Sequence, residues 1–398
     1  MIYLDNCSTT KTCQESIDIM TKALSEDFAN PSSLHSFGLK VEKEIAQSRS
    51  SVAKLVGAQA SEIFFTSGGT ESNNIAIHGL IKKNKRKGNK IITTAIEHAS
   101  INDQFINYKN EGLDVKFIGV DKHGNVDIEK LLDEIDENTI VLSLIHVHNE
   151  LGTINDLKEI TKRVKEKNRN VLIHGDGVQA VGKIHVNLKD LGIDTYSISS
   201  HKIYGPKGAG ALYVRESLDI PSLVIGGGQE KGLRSGTENV PGILGFAKAC
   251  QLAYENLEQR IEHAGKIKAY LLKLLEENLS DYQINTPKNS SNFHLSVSIK
   301  DIRAEVLLHY LEGDEIYIST ASACSSNGNH KSKTLKEIGL NNNLMDGTIR
   351  ICTSKDISFK DIDIFVEKLI KYVNEIRNIM IGWLFGKSIV NVFRRNCP

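Results

Sequence analysis

The 398-residue chain has no excess of either charge: 49 lysines and arginines stand against 49 aspartates and glutamates. No global field draws it to nucleic acid or to an anionic membrane, so a small substrate is expected. Its six cysteines (Cys7, Cys13, Cys250, Cys324, Cys352 and Cys397) form no CxxC pair and no short regular spacing. That argues against a zinc site and against a disulfide framework; the thiols suit a reducing compartment, and no metal is expected. The opening "MIYLDNCSTT" has neither a basic n-region nor an apolar h-region, which makes a cytoplasmic location the expectation. Long apolar runs are missing too. The closing stretch "NIMIGWLFGKSIVNVFRRNCP" carries the only tryptophan, but Lys387 and two glycines interrupt it far short of the ~20 residues a membrane span needs. It reads as a tail docked on the chain's own surface, a partner or membrane-surface contact being the alternative.

What is present points to an α/β enzyme. Short β-branched or aromatic runs, "EIFFTSG", "KIITT", "VKFIGV", "IVLSLIHV", "NVLIHGD", "TYSISS" and "GALYV", alternate with helical patterns. This predicts a mostly parallel, mixed sheet wrapped by helices, with binding residues in the loops at the strand ends. From Phe246 to Leu279 the pattern becomes one long charge-rich helical stretch that leads out of this layer. Beyond it, "NFHLSVSI", "AEVLLHYLEG" and "IYISTAS" predict a smaller α+β domain, closed by a helix from Asp361 to Ile376. The expected division is a large domain over 15–255, a small one from 1–14 and 256–376, and a tail over 377–398.

Three motifs carry chemistry. In "SISSHKIYGPKGAGALYV", Lys202 stands between a predicted strand and a glycine-rich turn. A lysine partly withdrawn from water has a lowered pKa and its neutral amine attacks aldehydes; most lysines, by contrast, are solvated surface charges. "HGDGVQ" puts Asp176 at a strand end, where a carboxylate can hold a protonated pyridine nitrogen. "TSGGTESNN" offers Gly69, hydroxyls and unpaired N–H groups at the start of a helix near Glu71, a phosphate-binding arrangement that plain strand-to-helix turns also share.

Taken together, "NPSSLHSFG", "FTSGGTESNN", "EHAS", "HVHNELGTI", "HGDGVQAVGK", "SSHKIYGPKGAGALYV", "GGGQEKGLRSGT" and "SACSS" resemble the cysteine desulfurases of the NifS/IscS type. These are pyridoxal 5'-phosphate (PLP) enzymes of transferase fold type I, the aspartate-aminotransferase fold. The resemblance runs from Tyr3 to about Arg350 and leaves out the tail beyond Ile376. It implies that Lys202 forms the Schiff base with the cofactor, that Asp176 partners the pyridine nitrogen and that Gln179 donates to the phenolic oxygen. Gly69, Thr70, Ser199 and His201 match the phosphate contacts. Thr237 corresponds to a residue reaching the phosphate held by a second subunit, so a homodimer is implied. His98 matches the histidine that stacks on the ring and serves as acid and base, although by itself it reads as a helix cap. Asn149 and Arg350 match the residues that hold the substrate carboxylate, Arg350 through a two-pronged bond.

Cys324, in "ISTASACSSNGNHKSK", matches the nucleophile. A stretch so rich in Ser, Ala, Gly and Asn buries little apolar surface and is expected to be a mobile loop. The implied reaction takes L-cysteine to L-alanine and leaves a persulfide on Cys324, which passes its sulfur to an acceptor such as an iron–sulfur scaffold protein or a tRNA-thiolation partner. Neither direct nucleic-acid binding nor a membrane span is implied. Selenocysteine lyase-like chemistry and a PLP-binding scaffold without turnover are the rival readings. Cys7, Ser8, Gly175 and Ala321 depart from the family's usual residues, and Cys352 close behind Arg350 raises a second thiol near the pocket. At Gly175 a larger apolar residue is common, and glycine adds backbone freedom to the strand end that aims Asp176.

Overall fold

The computed structural model describes residues 1–320 and 332–395, and side chains as far as Ile379. Two compact units emerge: Cys7–Asn149 with Thr153–Ile261, and Met1–Asn6 with Glu150–Gly152 and Glu262–Pro398. Strands are numbered in chain order, β1 (Ile2–Tyr3) belonging to the smaller unit.

The larger unit is built on the seven apolar runs of the sequence: β2 (Ile63–Thr66), β3 (Lys90–Thr94), β4 (Asp114–Ile118), β5 (Thr139–Ile145), β6 (Leu172–Asp176), β7 (Thr195–Ser199) and β8 (Gly210–Val214). They form one sheet in the order β2-β8-β7-β6-β5-β3-β4, with β8 alone antiparallel to its neighbours. Every residue of β5 is buried, as expected where helices cover both faces of a parallel sheet. Alternation divides its side chains between two cores: Leu142 and Leu144 pack with Ile173, Ile198 and Phe246, while Val141 packs with Leu80, Ile91 and Leu212. Helices α1 (Gln14–Ser25), α2 (Ser36–Leu55), α3 (Gly69–Asn84) and α4 (Ala99–Asn110) come from the first part of this unit. The helical stretch around Phe246–Leu279 is made of two helices, Val240–Glu255 and Leu257–Asn278.

Segments 7–14 and 256–261 lie in the larger unit, outside the 15–255 span read from the sequence. Long-range polar bonds that leave no local pattern account for the first. The Thr10 hydroxyl donates to the His201 carbonyl and accepts from the Tyr204 N–H, at 3.0 and 2.8 Å, and the Cys13 N–H reaches the Tyr204 carbonyl. Arg260 in turn lies over the Tyr204 ring, 5.2 Å from its centroid.

The smaller unit carries an antiparallel sheet in the order β12-β13-β10-β9, made of β9 (Tyr282–Ile284), β10 (His294–Ile299), β12 (Ser319–Thr320) and β13 (Thr348–Cys352). Next to it, β1 pairs in parallel with β11 (Ile316–Tyr317). Leu271, Leu275, Val297, Ile349, Phe365 and Leu369 make its core. The closing helix runs over Phe359–Arg395, well past Ile376. Among the described residues no helix is long and apolar enough to cross a membrane.

Candidate active site

The C-terminal ends of parallel strands share one edge of a sheet, and the larger unit's candidate residues gather there. β2 runs into Ser67-Gly68-Gly69 and α3. Gly68 has φ 154°, a conformation side chains rarely adopt, and as the N-cap of α3 it provides no side-chain acceptor. The first N–H groups of the helix are therefore left for an anion. Opposite, a Cβ on Gly210 would lie 2.6 Å from the Gly68 Cα, so β8 passes this turn only as glycine, whereas a Cβ on Gly68 would point into open space. Thr70 is exposed on the first turn of α3, and the Ser199 Cβ lies 3.7 Å from where a Gly69 Cβ would stand. His201, on the turn after β7, bonds through Nδ1 to the Thr9 hydroxyl at 3.2 Å; burial and the neighbouring lysines lower its pKa to about 4.

Asp176 is buried at the end of β6, and both of its carboxylate oxygens are held. Its Oδ1 accepts from the Val178 N–H at 3.0 Å and the Ser197 hydroxyl at 3.3 Å, and its Oδ2 accepts from Asn73 Nδ2 at 3.0 Å. Asn73 is the hub. Its second amide hydrogen goes to the Ser100 hydroxyl at 2.8 Å, and its Oδ1 accepts from His174 Nε2 at 3.0 Å, while His174 Nδ1 meets the Thr195 hydroxyl. Every donor and acceptor of that amide is used, which fixes its orientation. Burial lowers the His174 pKa to about 4, so the ring is neutral and donates from Nε2.

The same network reaches His98. Exposed at the N-cap of α4, His98 accepts at Nδ1 from the Ser100 N–H at 3.1 Å, with the Ser100 hydroxyl at 2.8 Å. The helix-cap reading and the acid–base reading therefore fall on one residue: with Nδ1 occupied as acceptor, the neutral ring carries its hydrogen on Nε2, facing away from the cap. Its neighbour Glu97 is buried, accepts from the Thr94 hydroxyl and the Ile145 N–H, and has its pKa raised to about 8, chiefly by burial.

Lys202 turns inward. Its Nζ donates to the carbonyls of Cys7 and Ser8, at 2.5 and 2.7 Å. Gln179, three residues past Asp176, sends Nε2 to the same Cys7 oxygen at 2.9 Å and holds Lys183 on Oε1. The departures at Cys7 and Ser8 thus act here through their backbone. Thr237 is exposed, and Asn149 lies in the turn after β5. In the smaller unit, Arg350 is buried on β13 with Nη2 3.0 Å from Asp5 Oδ1, and Cys352 is fully buried two residues on. Cys324 and Ala321 lie outside the described residues. Asn73, Ser100 and His174 escape the sequence reading because their partners lie 27 to 103 positions away; the one local signal was their place inside the quoted motifs.

Residues 2–365 match the family model described as aminotransferase class-V. Over 387 residues the chain is 40% identical to a protein named cysteine desulfurase IscS from Clostridium botulinum strain Hall, covering 96% of each. A solved structure titled as a NifS-like protein superposes with a TM-score of 0.89 at 36% identity, over 94% of this chain and 99% of that one. Another, titled "SspA in complex with cysteine", gives 0.79 at 31%, over 89% and 99%. The chain belongs to the class-V aminotransferase family, which has PLP fold type I, and within it to the cysteine desulfurases of the NifS/IscS type. The larger unit's residues suit that cofactor: an uncapped helix start for a phosphate, a buried carboxylate for a ring nitrogen and an inward lysine amine for the aldehyde.

Proposed function

We propose that the chain converts L-cysteine to L-alanine and carries the released sulfur as a persulfide on Cys324. The observation carrying this is the convergence of Lys202 and Gln179 on the Cys7 carbonyl, in a chain of desulfurase ancestry. Gly69, Thr70, Ser199 and His201 hold the cofactor phosphate, Gln179 its phenolic oxygen and Asp176 its ring nitrogen. When bound, PLP supplies an electron-accepting ring that stabilises negative charge at the substrate's Cα.

The chain's own residues do the rest. Arg350 grips the substrate carboxylate, with Asn149 as a second contact, and fixes its orientation. The Lys202 amine moves the Cα proton at Nζ. His98 handles protons at its outer nitrogen; to take the substrate thiol's proton, its ring has to give up either the hydrogen on Nε2 or the bond at Nδ1. As thiolate, Cys324 attacks the substrate sulfur: an S–S bond forms, the substrate C–S bond breaks, and the carbon fragment regains protons as alanine. Sulfur then passes to an acceptor protein, an iron–sulfur scaffold being one candidate.

The working form is a homodimer in which Thr237 of one subunit serves the other's phosphate. Several large apolar side chains are exposed in the single chain, Leu34 at 104% and Ile225 at 89% with Phe28 and Leu24, and a second subunit would have apolar surface to cover. Cys7, Cys13, Cys250 and Cys352 as free thiols suit the reducing cytoplasm. The test is intact-mass analysis after brief exposure to L-cysteine. One added sulfur mapping to Cys324, absent in Cys324→Ser, is expected; alanine release that persists in Cys324→Ser with no adduct on the wild type would overturn the persulfide.

A further inference from the structure

Gly175 and Gly177 flank Asp176, Gly175 within β6 and Gly177 just past its end, and a Cβ on either would run into the same tyrosine ring. That ring is Tyr196, the cross-strand partner of Gly175 on β7 and fully buried. A Cβ on Gly175 would stand 2.7 Å from Tyr196 Cδ2, and one on Gly177 would stand 1.8 Å from Cε1 and 2.1 Å from Cζ. Neither glycine has a positive φ, so no left-handed backbone demands glycine there; the tyrosine ring is the nearest obstacle to a side chain at both, joined at Gly175 by Ile193 Cδ1 at 3.3 Å. The ring is itself tied down: its hydroxyl lies 2.6 Å from His146 Nδ1, with the two rings edge to face at 5.9 Å. His146 closes the circuit, because its backbone N–H donates to the Asp176 carbonyl at 2.9 Å.

We propose that Tyr196 is a positioning residue for Asp176, its ring filling the volume that the two glycines leave and bracing the strand end from behind, so that the carboxylate keeps one direction. The freedom that Gly175 brings to the backbone is thereby removed by packing from the next strand. The inference rests on reading Asp176 as the partner of the cofactor's ring nitrogen. The pair is uncharged across the neutral range, burial lowering the His146 pKa to about 4 and raising the Tyr196 hydroxyl well above its usual value, so the brace holds without a titrating switch.

A double-mutant cycle tests it, read on the holoenzyme as the rate of PLP loss during dialysis, the pH response of the bound cofactor's absorbance band, and thermal unfolding. Gly177→Ala in the wild type is expected to speed cofactor loss about 10-fold, and in a Tyr196→Leu background by less than about 3-fold. Tyr196→Phe keeps the ring and should stay within about 3-fold of wild type; it also serves as the variant that folds should Tyr196→Leu not do so, with Gly177→Ala still expected to be damaging in it. Equal effects of Gly177→Ala in the two backgrounds would overturn the proposal. So would coupling that appears in thermal unfolding while cofactor loss and the absorbance band stay additive, since that is a purely structural role. A wild-type protein that carries no PLP band overturns the functional reading itself, and is told apart because the coupling in thermal unfolding would persist.

Discussion

Asn73 shows how one neutral side chain can govern a charged one. It gives Asp176 Oδ2 a hydrogen bond, takes one from His174 and passes another to the Ser100 hydroxyl beside His98. Asn73→Leu keeps the volume and removes all three, leaving a buried carboxylate oxygen and a buried imidazole N–H short of a partner. Hydrogen bonds to charged groups are worth about 1.5–3 kcal/mol, so cofactor affinity should fall roughly 10- to 100-fold. Reconstitution with PLP followed by absorbance measures it, and an unchanged affinity would remove Asn73 from the site. At this scale the sequence was legible where several motifs meet. Lys202 and Asp176 drew notice from their places at predicted strand ends beside turns, and gained weight only from the motifs read together, since a lone lysine or strand-end aspartate is usually a surface residue. Asn73, Ser100 and His174 are common residues whose meaning lies in distant partners, and Tyr196 reads as one more aromatic in a strand until the two glycines facing it are seen.

Among the elements, the short β-branched and aromatic runs translated directly into the seven strands of the larger unit, because burial on both faces forces near-continuous apolar sequence. Boundaries were less legible. The helical stretch after Phe246 divides at Asn256, whose side chain bonds back to the Leu252 carbonyl, and α3 begins at Gly69 rather than near Glu71. The least legible element is the segment 7–13, a turn at Cys7–Ser8 followed by residues without regular structure, held by side-chain and backbone bonds to the turn carrying Lys202. Thr10 makes two of these, and the second satisfies the N–H of Tyr204, a non-glycine residue at φ 72°. Thr10→Val replaces that hydroxyl with a methyl and leaves a buried N–H unpaired, at a cost of about 1–3 kcal/mol. The urea midpoint should drop accordingly and the variant should lose PLP faster, since Cys7 and Ser8 on the same segment accept from the Lys202 amine. A lowered midpoint with cofactor retention intact would mean that the segment supports the fold without supporting the site.

For the whole molecule, equal numbers of acids and bases said nothing about stability, and the buried titratable groups do. His146 and His174 have folded pKa values lowered by burial to about 4, against an ordinary value of about 6.5. Between those values the unfolded chain binds more protons than the folded one. Their contribution is therefore fully present above about pH 6.5 and drains away as pH falls towards 4, each by about 1.4 kcal/mol per pH unit. Glu97 works the other way. Its folded pKa is raised to about 8 while the unfolded value is about 4.3, so the folded state holds the extra proton and stability falls as pH rises through that window. Below about pH 6.5 these histidines, joined by His201 with its pKa likewise lowered to about 4, outweigh the carboxyls; above it the carboxyls raised by burial, Glu97 and Glu150, set the slope. Stability of the cofactor-free protein should consequently peak near pH 6.5 and decline on both sides. Glu97→Gln, which cannot ionise, should make the arm between pH 6.5 and 8 shallower and leave the acid arm in place. Unfolding midpoints in urea across pH 4.5 to 8.5 decide this, and an alkaline arm of equal slope in Glu97→Gln would show that the buried carboxyl is already ionised in the folded protein.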